Sequence, residues 1–286
     1  VVDDANGCSW SINVTVGQPT SISAQVDVQS HVSCNGLADG TALVTVSGGT
    51  GPYTYFWSNS DVDSLATGFG AGVHTVNVTD AESVKDAVNK AVATNGAPDL
   101  AINSAGILIN KTLEDTTPEA FKKVIDVNLN GSFNFASAVL PLMKPGSRIA
   151  LIASVAGLIS NYGYSAYGAS KFGVVGLATT LRYEYERRGI NVSCVCPPEV
   201  KTPMVAVEHA SGDPVSLELK KFAGSMQPDD ACDQIFKGIE AGKWMIIPSM
   251  NAKSLILISR LFPRLFSVSM QQLIRYAVNK VNFSKT

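Results

Sequence analysis

The sequence predicts an α/β protein, part of a parallel sheet covered by helices and preceded by a small all-β unit, and three observations predict it. The texture changes near residue 80; beyond it, helix-length patterns alternate with short apolar runs; before it, Gly, Thr, Ser and Val alternate with a period of two. In the first part, Thr41-Ala-Leu-Val-Thr-Val-Ser47 and Val73-His-Thr-Val-Asn-Val-Thr79 read as antiparallel strands, with Gly48-Gly-Thr-Gly-Pro52 as a turn between hairpin arms. Tyr53, Tyr55 and Trp57 supply aromatic anchors for a small sandwich. In the second part the expected order is helix near 81–95, strand 99–103, helix 117–143, strand 147–153, helix 161–188, strand 190–196, helix 227–241 and strand 244–248. Short apolar strands between helices mean a sheet buried on both faces. Two units follow, residues 1–80 and 81–286.

Composition agrees with two units and narrows the partners. A chain of 286 residues with 45% hydrophobic residues can bury a full core, and about 150 residues per domain suggests two domains. A net charge of -2 with no basic stripe excludes nucleic acid as a main partner. The five cysteines show no metal-ligand spacing, so no metal site is expected; Cys194-Val-Cys196 lies on an expected strand as reduced thiols.

Chemistry concentrates around Tyr167-Gly-Ala-Ser-Lys171, with Ser154 thirteen residues before the tyrosine at the end of an apolar run. On a helix Tyr167 and Lys171 share a face, so an ammonium beside the phenol favours its ionised form. Lowering a phenol by about three units takes roughly 4 kcal/mol, more than one exposed ion pair supplies. A second positive charge, such as an oxidised nicotinamide ring, is therefore expected nearby. Asn103-Ser-Ala-Gly106 ends the expected strand at 99–103, and Asn128 lies inside an amphipathic helical pattern.

An Asn-x-Ala-Gly turn, a helix asparagine, a serine and Tyr-x-x-x-Lys, in this order and spacing, resemble the short-chain dehydrogenase/reductase family. The resemblance implies the C-terminal part of a Rossmann-type parallel sheet and NAD(P)-dependent reduction of a ketone to an alcohol. It implies that Tyr167 exchanges the proton of the substrate oxygen, Ser154 holds that oxygen, Lys171 lowers the tyrosine pKa and binds the nicotinamide ribose, and Asn128 holds a water that relays protons to Lys171. Asn103, Ala105, Gly106, Tyr167, Lys171, Pro197 and Thr202 would line the cofactor path, Thr202 at the carboxamide. Family members open with a Thr-Gly-x-x-x-Gly-x-Gly loop, whose bare backbone amides approach the cofactor pyrophosphate. No such loop occurs before residue 81, where Gly68-Phe-Gly-Ala-Gly72 and Gly48-Gly-Thr-Gly51 read as turns. Binding of NADP, or NAD, is therefore expected to be weak.

Cys196-Pro-Pro-Glu-Val-Lys-Thr-Pro-Met204, Gln227-Pro-Asp-Asp230 and Gly242-Lys-Trp-Met-Ile-Ile-Pro248 resemble the 3-ketodihydrosphingosine reductase branch, which implies NADPH and a long-chain 3-keto amino alcohol. The apolar segment Leu255–Phe266, interrupted by Arg260, Pro263 and Arg264, is too short and charged to span a bilayer. Either peripheral membrane contact through 253–275 or packing of a C-terminal helix, including against a second copy, is expected of it. Residues 1–80, through Val32-Ser-Cys-Asn-Gly36, Val46-Ser-Gly-Gly-Thr-Gly-Pro-Tyr-Thr-Tyr55 and Gly70-Ala-Gly-Val-His-Thr-Val-Asn-Val-Thr-Asp80, resemble the SprB-type repeat of large bacterial surface adhesins, with a fusion point at 78–80. That resemblance implies the cell surface, whereas the reductase part implies a cytoplasmic or membrane-peripheral place. The rival function is accordingly an adhesion or binding protein with a catalytically inactive reductase portion.

Overall fold

The computed structural model describes residues 76–221 and 224–283, and the backbone of four strands before them. Of these, β1 (Val2–Asp3) pairs antiparallel with β2 (Ser9–Trp10), and β3 (Ser23–Ser30) with β4 (Thr41–Ser47). The expected strand at 41–47 is therefore present. The one expected at 73–79 is not found in its described part, where residues 76–79 run as coil and turn. The cause is local: Asp80 turns the chain into a helix, its Oδ1 accepting from the backbone N–H of Glu82 at 3.0 Å and of Ser83 at 3.2 Å. Tyr53, Tyr55, Trp57 and the adhesin-like motifs, apart from their parts in β4 and at 76–80, lie outside the described residues. Contacts divide the chain into one unit of Val1–Asn77 with Asp86–Gly96 and another of Val78–Lys85 with Ala97–Thr286.

The second unit is built on a parallel sheet of β5 (Leu100–Asn103), β6 (Arg148–Ile152), β7 (Asn191–Val195) and β8 (Met245–Ile246), in that spatial order. Register runs Leu100 to Arg148, Arg148 to Asn191 and Cys194 to Met245. In β6, three successive residues, Ile149, Ala150 and Leu151, are fully buried, as a strand covered on both faces requires. β5 instead alternates, with Ala101 and Asn103 buried and Leu100 and Ile102 exposed. Ala150, Val195, Ile239 and Ile246 pack as one core cluster.

The helices largely follow the expected order, with three differences. After α1 (Ala81–Asn95), the helix expected over 117–143 is a continuous helical run: α2 (Pro118–Ile125), a π-helical turn (Asp126–Asn130) and α3 (Gly131–Val139), followed by a 3-10 turn. Thr117 starts it, its Oγ accepting from the Ala120 N–H at 3.2 Å. α4 (Ser165–Tyr185) starts later than expected, because Gly163 takes a φ of +78° and turns the chain before it. Two short helices were not foreseen, α5 (Pro203–Ser211) and α6 (Pro214–Lys220); each opens on proline, which a first helical turn accepts. α7 (Pro228–Glu240) then leads to β8.

The C-terminal segment forms α8 (Met250–Leu261) and α9 (Pro263–Phe283), with Pro263 at the break between them. Among its apolar residues Ile256 is buried and Phe266 half-buried, so these two belong to internal packing, while Leu255, Leu257, Ile258, Leu261, Phe262 and Leu265 are exposed. Among the described residues no helix is long and apolar enough to cross a membrane.

Candidate active site

β6 ends by delivering Ser154 to the top of the sheet. There Ser154 adopts extended backbone and caps the tight turn Val155–Gly157, its Oγ accepting from the Ala156 N–H at 3.1 Å. That turn packs directly on α4. A Cβ on Gly157 would sit 2.5 Å from the Lys171 carbonyl oxygen, so only glycine lets the two backbones approach this closely. The approach brings Ser154 against the first turn of α4, so that its hydroxyl and the Tyr167 phenol lie on the wall of one cavity, close enough for the serine to favour the ionised phenol. Lys171, one helical turn further on, lies on the same side, with its Nζ 5.7 Å from the Tyr167 ring centroid and donating to the Ile152 carbonyl at 2.9 Å.

Burial decides the electrostatics. Tyr167 is 8% exposed and Lys171 5%. Loss of water pushes the Tyr167 phenol up to about 12, opposed by the Ser154 hydroxyl and reinforced by the negative charge of Glu208. The same loss pulls the Lys171 ammonium down to about 8. In the chain alone, loss of water outweighs the effect of Ser154, and Tyr167 is a neutral phenol at pH 7. Such a group donates a proton to an oxygen that is gaining negative charge.

The two asparagines tie the 104–107 turn to its neighbouring helices. Asn128 is completely buried in the π-helical turn; its Nδ2 donates to the Ile107 carbonyl and to Ser170 Oγ, both at 2.9 Å, while its Oδ1 accepts from the Ile107 N–H at 2.8 Å. Both amide hydrogens are thus spent on protein, and Asn128 could meet a water only as an acceptor. Ser170 Oγ in turn donates to the Tyr167 carbonyl at 2.7 Å, so Asn128 ties the 104–107 turn to α4. Asn103 stands behind that turn: its Nδ2 donates to Ser132 Oγ at 2.9 Å and its Oδ1 accepts from the Ala105 N–H at 3.1 Å. Ser132 and Ser170 close this chain and carried no signal in the sequence beyond their helical setting.

A cavity of about 310 Å³ opens over these groups. Ser104, Gly106, Ser154, Tyr167, Lys171, Pro197 and Thr202 line it, whereas Asn103 and Ala105, expected on the cofactor path, are not on its wall. The wall also includes Tyr164, Glu199, Glu208 and Lys220, which sequence reasoning missed. Only Tyr164 left a trace there, three residues before Tyr167 and so on the same helical face. Among the described residues no group of three or more His, Cys, Asp or Glu could hold a metal ion.

Comparison with known proteins gives the family. The short chain dehydrogenase profile matches residues 33–211. The 3-dehydrosphinganine reductase TSC10B of Arabidopsis thaliana is 40% identical over 188 residues, covering 64% of this chain and 55% of the relative. The chain thus spans about half the length of the curated relatives it matches. Two solved short chain dehydrogenases share the fold: one from Burkholderia phymatum in complex with NAD, at a TM-score of 0.59 and 22% identity over 68% of this chain and 76% of that one; one from Burkholderia cenocepacia in complex with NADP, at 0.60 and 20% over 74% and 83%. With more than half of its length matched by the family profile, the chain belongs to the short chain dehydrogenase family.

Proposed function

We propose that this chain reduces a ketone to a secondary alcohol with NADPH or NADH, and that the ketone is carried on a long-chain lipid of the 3-dehydrosphinganine type. The observation that carries the reading is the meeting of Ser154, Tyr167 and Lys171 on the wall of one cavity, with Lys171 Nζ 5.7 Å from the Tyr167 ring centroid. A carbonyl oxygen set between the two hydroxyls accepts from both. Tyr167, a neutral phenol, gives up its proton as the oxygen gains charge, and Ser154 holds that oxygen throughout. Lys171 draws closer to full protonation as the phenolate forms, since opposite charges favour each other.

The residues present fit the nicotinamide end of a dinucleotide. Gly106 leaves open the space beside Asn128 Oδ1 and Lys171 Nζ, which a Cβ would approach to 3.3 and 3.4 Å. Lys171 has donors beyond the one given to Ile152, and Thr202 does not spend its hydroxyl on capping α5. Lys171 and Thr202 would hold the ribose and carboxamide, and the bound cofactor supplies the hydride. Binding is weak because the segment before residue 81 lacks the Thr-Gly-x-x-x-Gly-x-Gly sequence that holds a pyrophosphate.

The lipid part of the reading is supported by the likeness to the Arabidopsis 3-dehydrosphinganine reductase and by the exposed apolar residues of α8 and α9. We propose that this face meets a membrane surface through residues 253–275. The test of function is NADPH and NADH titration by tryptophan fluorescence, followed by turnover at saturating cofactor. Expected are millimolar dissociation constants, oxidation of cofactor with a long-chain 2-amino-3-ketone, and loss of turnover by 100-fold or more in Tyr167→Phe, on the order of general acid catalysis. Absence of turnover with cofactor bound would leave an adhesion or binding protein with an inactive reductase portion.

A further inference from the structure

Behind the tyrosine lies a second buried assembly that the reaction outlined above does not use. Glu208, on α5, is 3% exposed. Its Oε1 accepts from the Tyr164 hydroxyl at 2.5 Å and from Asn110 Nδ2 at 2.8 Å, and its Oε2 from Lys220 Nζ. Lys220 also meets Glu199 at 2.6 Å, so one lysine faces two carboxylates. His209 stands 3.5 Å from Glu199 and is half exposed. The Tyr164 ring then meets the Tyr167 ring edge-on, with centroids 5.2 Å apart and planes at 73°.

The backbone keeps this assembly in place. Lys111 N–H donates to the Gly163 carbonyl at 2.9 Å and Asp213 N–H to the Asn110 carbonyl at 3.1 Å. These bonds bind the segment after the 104–107 turn to the start of α4 and to the start of α6. A carboxylate buried this deeply and given three donors is fixed in orientation, and it fixes what it holds. Tyr164 cannot rotate without giving up its hydrogen bond to Glu208, and the Tyr167 ring rests on Tyr164.

We propose that Glu208 is a positioning residue: through its hydrogen bond to Tyr164 it fixes the ring of Tyr167, and its buried negative charge behind that ring keeps the phenol in the proton-donating form. The proposal rests on the reductase reading for its consequence and on geometry for its substance. Facing the Tyr167 phenol are Tyr164 at the start of α4, Lys171 from α4, Cys196 after β7 and Glu208 from α5, with Lys220 and Glu199 paired behind Glu208. Among the neighbours Glu208 is an anion that opposes phenolate formation and Lys220 its counterion, while the Ser154 hydroxyl works in the opposite direction.

The test reads the phenol directly and needs neither cofactor nor turnover. The full chain is labelled with ¹³Cζ-tyrosine, the Tyr167 resonance is assigned by its disappearance in Tyr167→Phe, and the resonance is titrated with alkali in wild type, Glu208→Gln and Tyr164→Phe. Glu208→Gln preserves the acceptor for Tyr164 and removes the charge. It is expected to make Tyr167 ionise about tenfold more readily, a shift of about one unit, with near-UV circular dichroism unchanged. Tyr164→Phe keeps the ring and removes its tether, and is expected to move the Tyr167 resonance. A Tyr167 titration unchanged in folded Glu208→Gln overturns the electrostatic part. If that variant does not fold, an unchanged Tyr167 resonance in folded Tyr164→Phe overturns the positioning. Failure of turnover in wild type, with these shifts present, would count against the reductase reading alone.

Discussion

Tyr167 and Lys171 are moved in opposite directions by one cause, since burial penalises the phenolate of the first and the ammonium of the second. For the lysine this has a measurable consequence in stability. Its folded value near 8 lies below the ordinary 10.5, so between these pH values the unfolded chain holds more protons than the folded one. Unfolding free energy therefore rises with pH through that window. Comparison of wild type with Lys171→Met by urea denaturation at pH 7.5 and 10 should show the wild type gaining relative to the variant. The gain should be at most about 3 kcal/mol, at about 1.4 kcal/mol per unit. Equal pH slopes would mean that Lys171 reaches water in solution. At this scale the sequence showed Ser154, Tyr167 and Lys171 because helical spacing is written in it. It could not show the balance between burial and attraction, nor Glu208, which reaches Tyr164 only after α5 has folded over the cavity.

Elements meet at the site because two backbones come closer than side chains normally permit. The Val155–Gly157 turn sits on α4 with no room for a Cβ at Gly157, where the nearest atom belongs to the Lys171 backbone and cannot swing aside. On the opposite side of α4, Gly173 admits Leu129 from the π-helical turn; a Cβ there would lie 2.7 Å from Leu129 Cδ2. The π turn itself carries Asn128, whose buried amide joins the 104–107 turn to α4. Gly157→Ala is expected to destabilise the chain by about 1–3 kcal/mol, as overpacking does, and to move Ser154 away from Tyr167. Chemical denaturation measures the first effect and the ¹³Cζ shift of Tyr167 the second; a neutral substitution would mean that the turn stands further from α4. Helices over 117–143 and 161–188 were legible because their apolar periodicity is long. The π turn was not, since one extra residue per turn leaves that periodicity nearly intact. α5 and α6 were hidden by their length, nine and seven residues, and by prolines that read equally well as loop.

At the scale of the whole molecule the charge is unevenly placed. The chain carries a net charge of -2, yet from Ser249 to its end it has no Asp or Glu, and Lys253, Arg260, Arg264 and Arg275 lie in or beside its apolar helices. Lys280 is committed elsewhere, its Nζ 2.5 Å from Glu218 Oε1 and thereby clamping α9 to α6. α8 and the start of α9 expose Leu257, Leu261, Phe262, Leu265 and Val268, each more than half accessible. Their apolar stretch was legible in the sequence, but which residues face outward was not, and Ile256 proved to be core. Burying five such side chains at roughly 1.5–3 kcal/mol each outweighs the ordering of a helix that is already formed. Cations near an anionic surface add about 1 kcal/mol apiece. Flotation with vesicles containing anionic phosphatidylserine should carry the wild type upward and leave Leu261→Asp/Leu265→Asp behind. Neutral phosphatidylcholine vesicles and high salt should weaken the wild-type association, because the cationic part is screened. Equal partitioning of wild type and variant would reject the membrane face. A concentration-dependent dimer in the wild type, lost in the variant and accompanied by no flotation, would assign the same residues to a second copy of the chain and remove one physical support for a lipid-borne substrate.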